Sequence, residues 1–113
     1  MLRSFALHDG HSGDNHVGTL TYDTETRVFG MTIDADIPID DLPLSLEGFA
    51  FRGKRELSHE EALRWVTGRI CPPGRHNIRE ILRDNGLEKY NEFGLLMATM
   101  AKSDMDELYL VEG

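Results

Sequence analysis

The residues best suited to chemistry lie near the N-terminus, where three histidines and two aspartates occur within nine positions: His8, Asp9, His11, Asp14 and His16. Neutral imidazole is a common ligand of zinc and nickel, so a metal-dependent enzyme or sensor is one interpretation of this segment. The spacing matches no zinc template, however, and Gly10 and Gly13 are typical of a solvated hairpin loop. We therefore predict no bound metal and no cofactor, and keep the metal site as an alternative.

Two further segments invite a chemical interpretation. Asp34, Asp36, Asp40 and Asp41 suggest calcium, but the run lacks the central glycine and closing glutamate of a calcium loop, which indicates a solvated acidic loop. The single cysteine, Cys71, precedes His76 but is separated from it by two prolines and a glycine, so we interpret it as a small residue at a helix end. The chain offers no convincing acid–base pair, and we predict that it is not an enzyme.

A basic helix raises the possibility of DNA binding. Arg75, Arg79 and Arg83 are spaced so as to share one face of a helix that follows another, as in a helix-turn-helix regulator. The chain as a whole carries a net charge of −8 and has a pI near 5.0, whereas nucleic-acid-binding domains usually have a basic excess. Nucleic acid is thus an alternative partner that the composition disfavours.

Trp65 is the candidate anchor for a protein partner. It flanks the apolar stripe of a predicted helix and lies between Arg64 and Arg69 in the sequence. Tryptophan and arginine dominate the energetic hot spots of interfaces. We predict a partly exposed Trp65 that binds a partner together with Arg64 and Arg69, the alternative being a core tryptophan.

These residues must be positioned by a mixed set of elements. Alternating patterns predict strands at residues 2–7, 16–22 and 27–33, the last two forming a hairpin, and short strands at 44–46 and 49–51. The Ser58–Glu61 pair fits a capping box and predicts a helix over 58–70. Further helices are predicted over 75–85 and 91–101, and a final strand over 106–111. The expected fold is α+β: a small antiparallel sheet or partial barrel, about three short helices and a final strand.

Length and composition are those of one small globular domain over residues 1–113, with 40% hydrophobic and 28% charged residues. The charge is uneven: from Arg52 to Arg83, eight Lys or Arg residues accompany four Glu, whereas the rest of the chain has four basic and sixteen acidic residues. The N-terminus lacks the long apolar run of a signal peptide or membrane span. We therefore expect a cytoplasmic protein with no membrane association, and a homo-oligomer stays open.

In the order of its short motifs, the chain resembles the N-terminal subdomain of HipA-type toxin kinases, a module that also occurs alone as HipS, the small partner of the HipT kinase. The segments that carry the resemblance are VGTLTYD at 17–23, PLSL at 43–46, PGR at 73–75, NEFGLL at 91–96 and DELYL at 106–110. The turn from Cys71 to Gly74 departs from the family pattern.

The resemblance implies a module without activity of its own. In that family the module packs against a kinase core and, as a separate chain, can restrain the kinase as an antitoxin. We accordingly expect a non-catalytic protein-binding module that regulates a HipT-like or HipA-like kinase.

Overall fold

The computed structural model describes residues 1–10, 15–70, 74, 76–102 and 107–112, and only the backbone of Leu44. Its five strands form one open antiparallel sheet in the order β4-β3-β2-β1-β5. The strands are β1 (Leu2–Asp9), β2 (Asn15–Asp23), β3 (Val28–Ile33), β4 (Glu56–Leu57) and β5 (Leu108–Glu112). The helices are α1 (Leu44–Phe51), α2 (His59–Thr67), α3 (Ile78–Asp84) and α4 (Glu92–Thr99). The α+β prediction is confirmed, and the sheet is not a closed barrel.

Alternation along the strands places one sheet face against the helices. Strand residues that point towards the helices are almost fully buried: Phe5, Leu7, Leu20, Tyr22, Phe29, Met31, Ile33, Leu108 and Leu110. They join buried side chains of α1, α2 and α4, among them Leu46, Val66 and Leu96, in one core. The period of two along a strand therefore decides which residues remain on the other face of the sheet.

The segment from Leu44 to Phe51 corrects the prediction of two short strands. It is the helix α1, which follows Pro43, and its buried residues Leu46, Phe49 and Ala50 have the i, i+3, i+4 spacing of a helix. Gly48, which lies between the two predicted strands, is an exposed residue within this helix. Apolar side chains occur on most sides of α1, and only one side can face the core. Phe51, the last residue of the helix, is therefore 78% exposed.

Local signals at the other helix ends agree with the structure. The Ser58 hydroxyl accepts the Glu61 N–H, and the Glu61 carboxylate accepts the Ser58 N–H, which completes the predicted capping box. The Asn91 side chain accepts the Gly94 N–H at the start of α4. Gly86 has a φ of 70° and follows the end of α3 in the left-handed conformation that glycine favours.

The predicted bounds of three elements were too wide. The helix expected over 75–85 spans only Ile78–Asp84, and the final strand begins at Leu108. The expected helix over 91–101 ends at Thr99, after which Met100 and Ala101 both adopt positive φ values. In the described part of the chain, no helix is both long and apolar enough to span a membrane.

Candidate interaction surface

The sheet face turned away from the core is a candidate surface for contact with another molecule. Its central residues are uncharged and mostly short: Ser4, Ala6, Thr19, Thr21, Gly30 and Thr32. They lie side by side in the ladder, since Ala6 pairs with Thr19 and with Val111, and Thr19 pairs with Thr32. We call these six residues, together with Leu2, Val28 and Val111, the open face.

Three aliphatic side chains surround the centre of the open face. Leu2, Val28 and Val111 are 63%, 46% and 43% exposed, respectively. Leu2 and Val28 lie on either side of Asp23, and Val111 lies on the edge strand β5. The helices α1, α2 and α4 pack on the opposite side of the sheet, where the buried core lies. The open face therefore has apolar material at its rim and no charged residue at its centre.

The charged neighbours of the open face are mainly acidic. Asp23 and Glu56 lie on the ladder beside it, and the backbone N–H groups of Glu25 and Thr26 donate to the Asp23 carboxylate. These two hydrogen bonds hold the pKa of Asp23 below its ordinary value, so Asp23 is anionic at neutral pH. An uncharged centre beside acidic groups suits a partner surface with an apolar centre and basic residues around it.

A polar row closes one end of the open face. Tyr109, His8 and His16 occupy neighbouring positions on β5, β1 and β2, and Asp34 follows the end of β3. The His16 Nδ1 lies 2.6 Å from the Asp34 Oδ2, and the ring centroids of His8 and His16 are 5.6 Å apart. A β-bulge between Leu7 and His8 turns both histidines to the same side of the sheet.

The predicted metal loop is therefore only partly visible. His8, Asp9 and His16 belong to the strands, whereas His11 and Asp14 lie outside the described residues. Among the residues that the structure describes, no group of three His, Cys, Asp or Glu side chains is arranged to hold a metal ion. The approach of Asp34 to His16 is a consequence of the predicted β2–β3 hairpin, whose pairing brings the start of β2 beside the end of β3.

Trp65 does not occupy the partly exposed position that its place on the flank of the helix predicted. It is 5% exposed and belongs to the core, its Nε1–H donates to the Ser45 Oγ at 3.3 Å, and the Arg69 guanidinium stacks over its ring at 4.8 Å. The prediction of partial exposure is wrong because α1, expected to be strands, packs over this side of α2. Arg64 is exposed on α2.

Arg69 is used inside the protein. Its Nε donates to the Ala101 carbonyl at 2.7 Å, which ties the end of α2 to the left-handed segment after α4. That segment is also bonded to β5, since the Leu110 N–H donates to the Met100 carbonyl. Of the three residues predicted to bind a partner, Arg64 has the exposure that such a contact needs.

The remaining exposed aromatic side chain was missed at the sequence level. Phe51 is 78% exposed at the end of α1, where the neighbouring Arg52 guanidinium instead stacks over Phe49 at 5.5 Å. The helical spacing of the apolar residues Leu46, Phe49 and Ala50 is the sequence signal that could have placed Phe51 on the outer side of a helix.

A cleft of about 560 Å³ lies on the helical side, between the β2–β3 hairpin, α2 and the segment before α4. Its lining includes Tyr22 and His59. Burial raises the pKa of Tyr22, so its phenol stays protonated at neutral pH, and the His59 Nδ1 accepts the Phe29 N–H at 2.8 Å. Both groups thus support the fold, and neither is placed as a general base.

The predicted DNA-binding helix has an unsuitable connection. Residues 68–77 separate α2 from α3, a longer segment than the three or four residues of a helix-turn-helix. Arg79 and Arg83 are exposed on α3, and Arg75 and Cys71 lie outside the described residues.

Comparison of the chain with protein-family models, curated proteins and solved structures found no match.

Proposed function

We propose that this chain is a non-catalytic protein-binding module, resembling the HipA N-terminal subdomain, which docks on a HipT-like or HipA-like kinase and regulates it as an antitoxin or subunit. The observation that carries the proposal is the open face, whose uncharged centre is partly exposed and bordered by the exposed side chains of Leu2, Val28 and Val111.

Charge depletion distinguishes this surface from the rest of the chain. Charged residues make up 28% of the sequence, yet the centre of the open face has none. Interface centres are depleted in charged residues because burying a charge without a partner costs roughly several kcal/mol. The rim of an interface, which stays in contact with water, remains polar. Hydroxyls of Thr19, Thr21 and Thr32 can find new hydrogen-bond partners across an interface, so their burial is tolerated.

The occupant that we propose is a folded protein surface with an apolar centre and basic rim. The acidic residues Asp23, Asp34 and Glu56 border the open face, and the chain carries a net charge of −8. Such a partner would gain long-range attraction during encounter and would bury the three aliphatic side chains on contact.

The test places one charge at the centre of the surface. Thr19→Arg should weaken capture of a co-encoded HipA-type kinase at least tenfold, since the guanidinium would be buried without a partner. Ala98→Arg adds the same charge at an exposed position on α4 and is the matched control. Affinity is measured by titration of purified kinase, and folding of both variants by circular dichroism.

Equal binding of Thr19→Arg and wild type would refute docking through the open face. If wild-type protein failed to capture a neighbouring kinase, the HipT-like assignment would be lost, whatever the variants do.

A further inference from the structure

The polar row at the end of the open face has a geometry that the docking proposal does not explain. His8 and His16 pair directly across β1 and β2, with ring centroids 5.6 Å apart and ring planes nearly perpendicular. The His16 ring is held by the Asp34 carboxylate at 2.6 Å, and the His8 ring stacks on Tyr109. From this arrangement we propose that His8 and His16 form a two-imidazole site for a borderline divalent transition-metal ion such as Zn²⁺ or Cu²⁺.

The separation of the rings suits a shared ion. A zinc–nitrogen bond of about 2.0–2.1 Å places a ligating imidazole's ring centre about 3 Å from the metal. Two such rings at a tetrahedral angle have centres about 5–6 Å apart. The observed 5.6 Å lies within this range, so the spacing of the two rings matches that of two imidazoles sharing one ion.

Asp34 supplies the feature that distinguishes a metal-binding histidine from an ordinary surface histidine. Metal-ligating histidines usually donate the N–H of the non-ligating nitrogen to a carboxylate or a carbonyl, which fixes the tautomer and raises the basicity of the ligand. The His16 Nδ1 lies 2.6 Å from the Asp34 Oδ2, and in the tautomer in which Nδ1 donates its proton to this carboxylate, Nε2 has the lone pair that a metal ion needs. His8 also has two ring nitrogens, either of which can serve as a metal ligand.

The surroundings allow an ion to enter and to complete its coordination. The His16 side chain is 45% exposed, and that of Asp34 is 28% exposed. Two protein ligands leave further positions for water or for an outside ligand, unlike a closed structural zinc site, which has four protein ligands. The strands that carry the two ligands are paired by backbone hydrogen bonds, so the imidazoles are already brought together before the ion binds.

The selectivity expected of this site follows from its donor atoms. Imidazole nitrogen favours copper, nickel and zinc, with copper binding more tightly than zinc. Magnesium and calcium prefer oxygen ligands and should not bind here. This proposal rests on the histidine pair alone and does not depend on the proposed protein partner.

The experiment is calorimetric titration of the untagged chain with Zn²⁺ and with Cu²⁺ at neutral pH, using Mg²⁺ as a negative control. Wild type should bind one equivalent, and His8→Ala and His16→Ala should each weaken binding at least tenfold. Asp34→Asn should keep the stoichiometry and weaken binding about 10–100-fold, because it removes the orienting carboxylate and not a ligand. His76→Ala, at an exposed histidine before α3, should bind like wild type.

Absence of binding for both ions, or unchanged binding in His8→Ala or His16→Ala, would overturn the proposal. Circular dichroism checks that each variant is folded. If His16→Ala is destabilised, His16→Gln can still donate a hydrogen bond to Asp34 while lacking the imidazole, and it should show the same loss of metal affinity.

Discussion

Replacement of Trp65 by alanine separates a core role from an interface role. The Trp65 side chain is 5% exposed and packs between α1 and the core, so its loss leaves a large cavity. Substitutions of this kind cost about 3–5 kcal/mol of unfolding free energy. Losing the hydrogen bond to the Ser45 Oγ and the stacking of Arg69 contributes about 1 kcal/mol each within that total. We expect a loss of about 4 kcal/mol.

That loss is large for a domain of this size, whose total stability is about 5–15 kcal/mol. The assay is urea unfolding followed by far-ultraviolet circular dichroism, since the variant lacks the only tryptophan. Trp65→Phe keeps an aromatic ring and removes the Nε1–H, and it should cost about 1–2 kcal/mol. Arg64→Ala is the matched control on the exposed side of α2 and should change stability by less than about 0.5 kcal/mol.

Suppose that Trp65→Ala lowers the free energy of unfolding by less than about 1 kcal/mol and leaves its dependence on urea concentration unchanged. Trp65 would then not fill the core as the structure places it. Wild-type fluorescence gives an independent check, because a buried tryptophan emits at shorter wavelength than a solvated one and shifts on unfolding.

Two other predictions concern local geometry and pH. Gly18→Ala should lower the free energy of unfolding by about 1–3 kcal/mol, because the added Cβ would lie 2.4 Å from the Thr32 carbonyl oxygen. Gly48→Ala, at an open position within α1, should raise it by about 0.5–1 kcal/mol. Urea unfolding measures both, and a stabilising Gly18→Ala would contradict the close approach of β2 and β3. Hydrogen bonds from the Ser58 N–H and from Lys54 hold the pKa of Glu61 below its ordinary value. The contribution of the Glu61 carboxylate to folding stability is therefore complete above its unfolded-state pKa and is lost as the pH falls through its folded-state pKa. Glu61→Ala should therefore be less stable than wild type at neutral pH, and the difference should shrink in acid; a difference independent of pH would refute the role of the carboxylate.

The helix α1 shows how a short apolar segment resists prediction. Residues 44–51 fit both a period of two and a helical period, since apolar side chains occur on almost every side. The prediction of strands at 44–46 and 49–51 left Gly48 between them, whereas in the structure Gly48 is an exposed position within the helix. The misassigned helix then hid the burial of Trp65, because the element that covers Trp65 was not expected to be there.

The sequence by itself determined the features that depend on neighbours within a few residues: the β2–β3 hairpin, the Ser58–Glu61 capping box, the Asn91 cap and the left-handed Gly86. Each is fixed by backbone hydrogen bonds or by φ preferences that a local pattern encodes. Only the tertiary structure decided that α1, α2 and α4 pack on one side of the sheet, and that His8 lies beside His16 across β1 and β2. Those outcomes depend on strand order and on the β-bulge at His8, which are set by contacts between residues far apart in the chain.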